Sequence, residues 1–377
     1  MKLGMVEMKP RNLKPILIGI VFAILSSLIT VGVANNSDGN DLGRVTEPFF
    51  GIHQAGIETA QQAQVTLLTF DLKDGVNIEG LGRLLRVWTS DTVQATQGLE
   101  SIGDPNPGME ANPARLSATF GFGYSLFKNL GILDRWPIKT KTIPTFSSDA
   151  LESRWSDGDI VVQIAGDDPM AIFHLAHLLK RDAAPFAVVR YQQRGFLNAA
   201  GVNSGVIGRN LLGQVDGTAN PAVGTELFSK TAWIEDGSLA GGTTMVVRRI
   251  RFALESWDKL SVNNKSLATG RSLTSGERVK APESHVSLAK KAAQSKLIRR
   301  GFNYDDGYLE DGTRDAGLIF ISFQREIESF NLIQRSLAEN DSLNIWAKHI
   351  GSSLFVIPSG IEKGQWIGQT LFTLYRE

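Results

Sequence analysis

The 377-residue chain contains no cysteine, few histidines and no excess of charge of either sign. The absence of cysteine excludes disulfides, thiolate nucleophiles and cysteine-ligated metal centres. Lysine and arginine (39) balance aspartate and glutamate (39), so the net charge gives no reason to expect a nucleic-acid partner. Any imidazole chemistry must therefore come from five histidines, which stand at positions 53, 174, 177, 285 and 349.

A long hydrophobic run occurs once, at residues 16–34, and follows a basic stretch that contains Arg11. Its length lies between that of a signal-peptide core and that of a short membrane-spanning helix. We expect residues 1–34 to be a signal peptide or a membrane anchor, with the folded part exported to the periplasm or the outer face of the cytoplasmic membrane. No twin-arginine motif precedes the run, so a general-secretion signal and an uncleaved anchor are both open.

The remaining chain alternates strand and helix patterns in the same order twice, after a polar linker at 35–46. In the first half, alternating and β-branched segments predict strands and 3.6-residue periodicity predicts helices: β at 64–72, α at 76–92, β at 115–123, β at 159–164, α at 169–181 and β at 187–196. The second half gives strands at 245–254, 296–304, 317–325 and 353–358, with a helix at 326–338.

The order β-α-β-β-α-β is typical of a ferredoxin-like module. We therefore predict an α+β fold of two such modules with antiparallel sheets, as in the dimeric α+β barrel proteins. The N-terminal module is expected at 47–200 and the C-terminal module at 201–377. A loop rich in Gly, Asn and Asp at 201–224 lies between the last predicted strand of one and the first of the other, and long polar loops of this kind are often functional.

This loop contains the motif Gly-Gln-Val-Asp-Gly-Thr-Ala-Asn-Pro at 213–221. Glycines at 213 and 217 would allow tight turns and a close approach of the backbone to a ligand, with Asp216 held between them. The alternative is an ordinary Asx-turn, in which the Asp216 carboxylate bonds only its own backbone.

Three further segments decide between these interpretations: PFFGIHQAGI at 48–57, SHVSLA at 284–289 and IRRGF at 298–302. Together with AGGTTMVVRRIRF at 240–252, they resemble the DyP-type (dye-decolorising) haem peroxidases in order and approximate spacing. The resemblance covers 47–377. It is greatest to the subgroup of the exported deferrochelatase/peroxidase of the bacterial Efe ferrous-iron uptake system.

The resemblance implies a role for each matching residue. His285 corresponds to the proximal histidine that ligates the iron of haem b, one per chain, in the C-terminal module. Asp216 corresponds to the distal aspartate, which would move a proton on the peroxide, and Arg299 to the distal arginine, which would stabilise developing negative charge. Gly217, Thr218 and Ala219 correspond to the backbone at the haem edge.

The chain departs from the family between His285 and Arg299. This stretch is about four residues shorter as aligned and lacks the Asn-Pro-Arg that usually follows the histidine. Lys290 and Lys291 are candidates to replace contacts with the haem propionates, but the sequence does not assign those contacts.

The implied function is peroxidation with hydrogen peroxide outside the cytoplasmic membrane, serving iron acquisition by oxidising ferrous iron or releasing iron from haem. Partners of such a protein would be an Efe-type permease and lipoprotein, and a homo-oligomer is also open. The alternatives are a general peroxidase of dyes and phenols and a haem carrier without turnover. Asp216 and Arg299 argue against the carrier, which needs no distal acid or cation.

The other histidines favour structural roles. His174 and His177 are spaced three residues apart on a predicted helix and would allow a shared metal, but no acidic partner stands at a suitable spacing, so a helix surface or interface is favoured. His53 would either line a channel or act as a structural hydrogen-bonding residue. The cluster Arg248–Arg251 follows a strand pattern, and a solvated sheet face is the favoured interpretation.

Overall fold

A computed structural model of the chain describes residues 42–200, 208–215, 219–292 and 296–373. The hydrophobic run at 16–34 and three residues of the Asp216 motif, 216–218, lie outside the described residues. Across the part that is described, every helix is too short or too polar to cross a membrane. Residues 43–373 belong to one compact unit.

The N-terminal module has the predicted β-α-β-β-α-β order with one additional short helix. Its elements are β1 (Gln64–Leu72), α1 (Ile78–Thr96), β2 (Ser117–Gly123), α2 (Tyr124–Asn129), β3 (Ile160–Gly166), α3 (Pro169–Ala183) and β4 (Ala187–Phe196). The strands form an antiparallel sheet in the order β2-β3-β1-β4. Both strands predicted at 64–72 and 187–196 are confirmed to the residue.

Side-chain caps fix where the two long helices of this module begin. Asn77 accepts a hydrogen bond from Gly80 N (2.9 Å) at the start of α1, and Asp168 accepts one from Met170 N (2.8 Å) at the start of α3. Such caps satisfy backbone donors that have no partner inside the helix. Pro169 follows the second cap at the position where a missing N–H costs nothing.

The C-terminal module repeats the order with several short helices. Its elements are α4 (Glu226–Ala232), β5 (Thr243–Phe252), α5 (Leu254–Asp258), α6 (Val262–Thr269), α7 (His285–Lys291), β6 (Ile298–Arg299), β7 (Phe302–Tyr308), β8 (Arg314–Gln324), α8 (Ile327–Asn340), β9 (Ala347–Ile357) and α9 (Gln369–Phe372). The segment predicted as one strand at 296–304 is two strands. They are separated at Arg300, whose buried guanidinium donates to the backbone oxygens of Ile57 and Thr59.

The two sheets join edge to edge into a barrel. Strand β2 pairs with β9 at Phe122↔Val356, and β4 pairs with β7 at Phe196↔Asn303. Because β5 pairs with both β8 and β9, eight strands form a closed ring, and β6 lies along β8. The prediction of two ferredoxin-like modules with antiparallel sheets is confirmed.

The barrel interior is one hydrophobic cluster to which both modules contribute, including Leu67 of β1, Val247 of β5 and Phe355 of β9. The long helices lie outside the ring. Helices α1 and α3 cover the N-terminal strands through a second cluster, whereas α8 covers the C-terminal strands through a third. Because side chains alternate along a strand, every second side chain points into the barrel interior and the others face the helices outside.

A pair of carboxyl groups lies buried between α1 and α3. Asp91 of α1 is 4% exposed and faces Asp182 of α3. The pKa of Asp91 is raised from 3.8 to about 7, mainly because the group is buried and also because the carboxyl group of Asp182 lies beside it. Asp91 is therefore mostly protonated at pH values below about 7.

We expect the free energy of unfolding to fall as the pH rises from about 4 to about 7. In that range the folded protein holds a proton on Asp91 that the unfolded chain has released, which costs at most ~1.4 kcal/mol per pH unit. Asp91→Asn keeps the shape of the neutral acid and should remove this slope. Urea unfolding of both proteins at pH 5 and pH 8 measures it, with exposed Glu79→Gln on the same helix as control. Parallel stability curves for wild type and Asp91→Asn would contradict the assignment.

Candidate functional site

The imidazole of His285 is held by a buried carboxylate. His285 opens α7, and its Nδ1 lies 2.6 Å from Oδ2 of Asp341. The carboxylate is 3% exposed and the imidazole 27%. Because an ionised carboxylate only accepts hydrogen bonds, Nδ1 carries the proton and the lone pair of Nε2 points away from Asp341. This is the arrangement that orients a histidine for binding a metal.

Asp341 is itself fixed on both sides. It directly follows α8, and its Oδ1 accepts a hydrogen bond from Leu343 N (2.9 Å) at the start of a short 3-10 helix. Helix α7 is tied to the same region, because Ser336 Oγ donates to Leu288 O (3.2 Å) and Ser342 N donates to Glu283 O (3.2 Å). The imidazole therefore has little freedom to rotate.

Arg299 lies on β6, where a side chain of the Asp216 motif holds its backbone. Asn220 Nδ2 donates to Arg299 O (2.7 Å), and Arg299 N donates to Asn220 Oδ1 (3.0 Å). This paired contact resembles one rung of a β-ladder. It joins the C-terminal flank of the motif to the strand that carries the predicted distal arginine.

The N-terminal flank of the motif is held by the neighbouring strand. Asn303 of β7 accepts from Leu211 N (3.1 Å) and donates to Arg209 O (3.0 Å). Asp216, Gly217 and Thr218 lie outside the described residues, and exposed Ala219 follows them. Their predicted roles remain predictions, but both described flanks are attached to β6 and β7.

His285 and Arg299 belong to the same layer of the molecule. Ile298 packs in the barrel interior, so alternation places Arg299 on the outer face of the sheet. Helix α8 packs on β8, the strand that pairs with β6, and α7 packs in turn on α8. An apolar cluster lines this layer, and Phe146, Phe320 and Phe330 supply its aromatic rings.

A buried cationic group, Arg248, lies on this face of the sheet. Arg248 is fully buried on the outer face of β5, where it forms an ion pair with Asp149 and donates to Ser352 Oγ (3.2 Å) and His349 Nδ1 (3.3 Å). Burial lowers the pKa of His349 well below its usual value, and the charge of Arg248 lowers it further. The imidazole of His349 is therefore neutral and its Nδ1 accepts the hydrogen bond.

The interpretation of the Arg248–Arg251 cluster as a solvated sheet face was wrong. Arg249 is also fully buried, but on the opposite face of β5. Its Cζ atom lies 4.2 Å from the ring centroid of Trp155 and 3.7 Å from that of Tyr304. Its guanidinium donates to Asp315 at 3.0 Å. Alternation was predicted correctly, yet acids from distant segments neutralise both cations and allow them to be buried.

His53 has a structural position. Its ring stacks on Trp233 at 3.7 Å between centroids, and Nδ1 bonds Gly241 O (2.7 Å).

The residues around His285 fit haem. The Nε2 lone pair of His285 would be available to hold the haem iron, and the aromatic cluster would offer an apolar wall to a porphyrin. On α8, Asn331 Oδ1 and Gln334 Nε2 are buried without a hydrogen-bond partner. Buried polar atoms normally have partners, so these two are consistent with a bound group that contacts α8.

Comparison with known proteins gives the same family for both modules. Residues 54–197 match the family model described as Dyp-type peroxidase, N-terminal, and residues 208–362 match Dyp-type peroxidase, C-terminal. The chain is 34% identical over 365 residues to the Dye-decolorizing peroxidase of Thermobifida fusca, covering 84% of this chain and 83% of that one. It is 29% identical over 370 residues to the Deferrochelatase of Escherichia coli strain K12, covering 86% and 87%.

Solved structures of similar chains have the same architecture. Ferric DtpA from Streptomyces lividans superposes with a TM-score of 0.85 at 33% identity, covering 88% of this chain and 98% of that one. A DyP-type peroxidase from Cellulomonas bogoriensis gives a TM-score of 0.85 at 34% identity, covering 88% and 99%.

Proposed function

Because this chain belongs to the Dyp-type peroxidase family and is therefore a haem peroxidase, we propose that it binds one haem b through His285 and reduces hydrogen peroxide outside the cytoplasmic membrane. The observation that carries the proposal is the 2.6 Å contact between His285 Nδ1 and buried Asp341. It is the contact that a histidine needs in order to present Nε2 to iron.

When bound, haem supplies an iron centre that accepts electrons from the reductant and delivers them to peroxide. The protein moves a proton between the peroxide oxygens and supplies the positive charge. We assign Asp216 to take the proton from one peroxide oxygen and return it to the other, directly or through one water. The guanidinium of Arg299 would stabilise the negative charge that develops as the O–O bond breaks.

The contact of Asn220 with Arg299 supports the assignment of Asp216 and Arg299 to the same site. Asn220 is four residues after Asp216 in the chain and binds both backbone polar groups of Arg299. A chain of four residues spans at most about 14 Å. The proposed acid and the proposed cation are thus tethered to one another through a short segment.

Asp341→Asn should raise the reduction potential of the bound iron and slow turnover by about 10–100-fold. Asparagine can still accept the hydrogen bond from His285 Nδ1, but the negative charge that makes the imidazole a stronger ligand is lost. A spectroelectrochemical titration and stopped-flow kinetics measure the two effects. The control is Glu283→Gln, which neutralises the carboxylate of a nearby, exposed residue. An unchanged potential in Asp341→Asn would remove the proposed role of this carboxylate.

An absorption spectrum before and after peroxide tests the function as a whole. The haem-loaded protein should show a Soret band that shifts when hydrogen peroxide is added and returns when a reductant follows. A band that does not respond to peroxide would instead support the alternative of a haem carrier without turnover.

We further propose that the reaction serves iron acquisition, through oxidation of ferrous iron or release of iron from haem. The support is the name Deferrochelatase carried by relatives that align with 86% of this chain. The alternative, a general peroxidase of dyes and phenols, is favoured by the relative named Dye-decolorizing peroxidase. Incubation with haem and a reductant distinguishes iron release from general peroxidase activity. Release of iron leaves fluorescent porphyrin, whereas a general peroxidase turns over dyes without forming free porphyrin.

Export rests on the basic stretch and hydrophobic run of residues 1–34. Fractionation of cells that express the full chain should place the folded part outside the cytoplasmic membrane, either released or anchored. Recovery of all the protein in the cytoplasm would overturn this part of the proposal.

A further inference from the structure

A second histidine lies buried among carboxylates in the N-terminal module, which does not contain the proposed haem ligand. His174 of α3 is 2% exposed, and its Nε2 lies 2.8 Å from Oδ2 of Asp104, whose side chain is fully buried. Glu110, 8% exposed, comes from the same loop as Asp104. One ligand atom from each of the three residues lies within 4.8 Å of the other two.

The converging atoms are not satisfied by one another. Asp104 Oδ2 and His174 Nε2 are close, yet neither has a hydrogen bond of normal geometry. An ion pair between His174 and Asp104 alone would also leave Glu110 as a second carboxylate beside the first. A divalent cation accounts for both features, because it attracts lone pairs rather than N–H groups and balances two negative charges.

The spacing suits a metal. Neighbouring ligands of an ion with bonds of about 2.1 Å lie about 3 Å apart, close to the contact between His174 and Asp104. The loop is also arranged to orient both carboxylates. Asn106 N donates to Asp104 Oδ1 (2.8 Å), and Gly108 N donates to Glu110 Oε2 (2.9 Å). Gly108 N lies within hydrogen-bond distance of both oxygens of Glu110, and these backbone bonds orient the two carboxylates, as outer partners of metal ligands do.

We propose that Asp104, Glu110 and His174 bind a divalent first-row transition-metal ion, which fastens the loop at 101–113 to helix α3. One imidazole with two carboxylates suits Zn²⁺ or Mn²⁺, whereas an all-oxygen set would favour Ca²⁺ or Mg²⁺. The role of the ion is structural. Helix α3 packs against β1 and β3 of the N-terminal sheet, so an ion that ties the loop to α3 fixes the loop to the folded module. The site does not depend on the proposed reaction at His285.

Metal binding to the haem-loaded full chain tests the proposal. Loading with haem keeps His285 from competing for the added ion. After treatment with a chelator, the protein should take up one Zn²⁺ per chain, measured by calorimetry and by elemental analysis that separates zinc from haem iron. Saturation with Zn²⁺ should raise the melting temperature by ~2–4 °C. A parallel titration with Mn²⁺, followed by electron paramagnetic resonance, decides which ion binds more tightly.

Glu110→Gln and His174→Gln should each weaken binding at least 100-fold and abolish the thermal shift. His177→Gln is the matched control, because His177 is exposed on the same helix, one turn away, and should bind as wild type does. If the folded wild-type protein shows no saturable binding of either ion, or if Glu110→Gln binds as tightly as wild type, the three residues are only an ion pair with an additional acid and the proposal is wrong.

Discussion

His285→Ala should yield a protein that folds but no longer holds haem through an axial imidazole, and its peroxidase turnover should fall by at least ~100-fold. Loss of a residue that only orients a metal ligand typically costs about 10–100-fold in metal affinity or activity, so loss of the ligand itself costs more. The Soret band of the reconstituted protein and its steady-state rate with hydrogen peroxide measure the two losses. Full activity in this variant would refute the assignment of the ligand.

Two further measurements distinguish loss of the ligand from a general structural defect. His177→Ala removes an exposed imidazole from the other module and should leave both the spectrum and the rate unchanged. Added imidazole should restore part of the Soret band of His285→Ala, because Asp341 remains in place to accept a hydrogen bond from a small ligand. A structural defect would not respond to imidazole.

Asp216→Asn should keep the Soret band of the wild type and lower kcat/KM for hydrogen peroxide by about 10²–10⁴-fold. The asparagine amide cannot take a proton from the peroxide, which is the contribution that general acid–base catalysis makes. Stopped-flow mixing with peroxide isolates this step from later oxidation of the reductant. The exposed Asp236→Asn, in the same module, is the control.

The outcome also shows whether Asp216 transfers the proton or whether the motif only positions Arg299. If Asp216→Asn reacts with peroxide at the wild-type rate, the proton is carried by another group, and the motif at 213–221 would act only through Asn220 and the backbone of Arg299. If the rate falls and the haem is retained, the acid has the proposed role.

The sequence predicted the strands well because both barrel modules are built on short, regular patterns. Strand β1 and strand β4 alternate or cluster apolar residues between clear breaks, and both are found where predicted. The break between β6 and β7 was missed. It depends on the buried side chain of Arg300 bonding to the other module, and local patterns contain no information about such a contact.

The partners of the site residues were beyond the reach of sequence patterns. Asp341 lies 56 residues from His285, and nothing in that spacing distinguishes it from other acids. The same is true of His174, which was expected with His177 on a helix surface or interface, a metal shared by the two being the alternative; the helix surface is wrong for His174, which is 2% exposed. The structure instead places His177 on the exposed side of α3 and brings acids from the loop at 101–113 to His174.

Closure of the barrel has a consequence for the behaviour of the protein in concentrated solution. An open sheet presents unpaired N–H and C=O groups along its outermost strands, which can recruit strands from other molecules. Here each of the eight ring strands has a neighbour on both sides, and the additional strand β6 is only two residues long. Closure therefore removes part of the template for intermolecular β-pairing. The joins are short, with two residue pairs between β2 and β9 and one between β4 and β7, so any recruitment of a foreign strand is expected along the remaining length of these four strands.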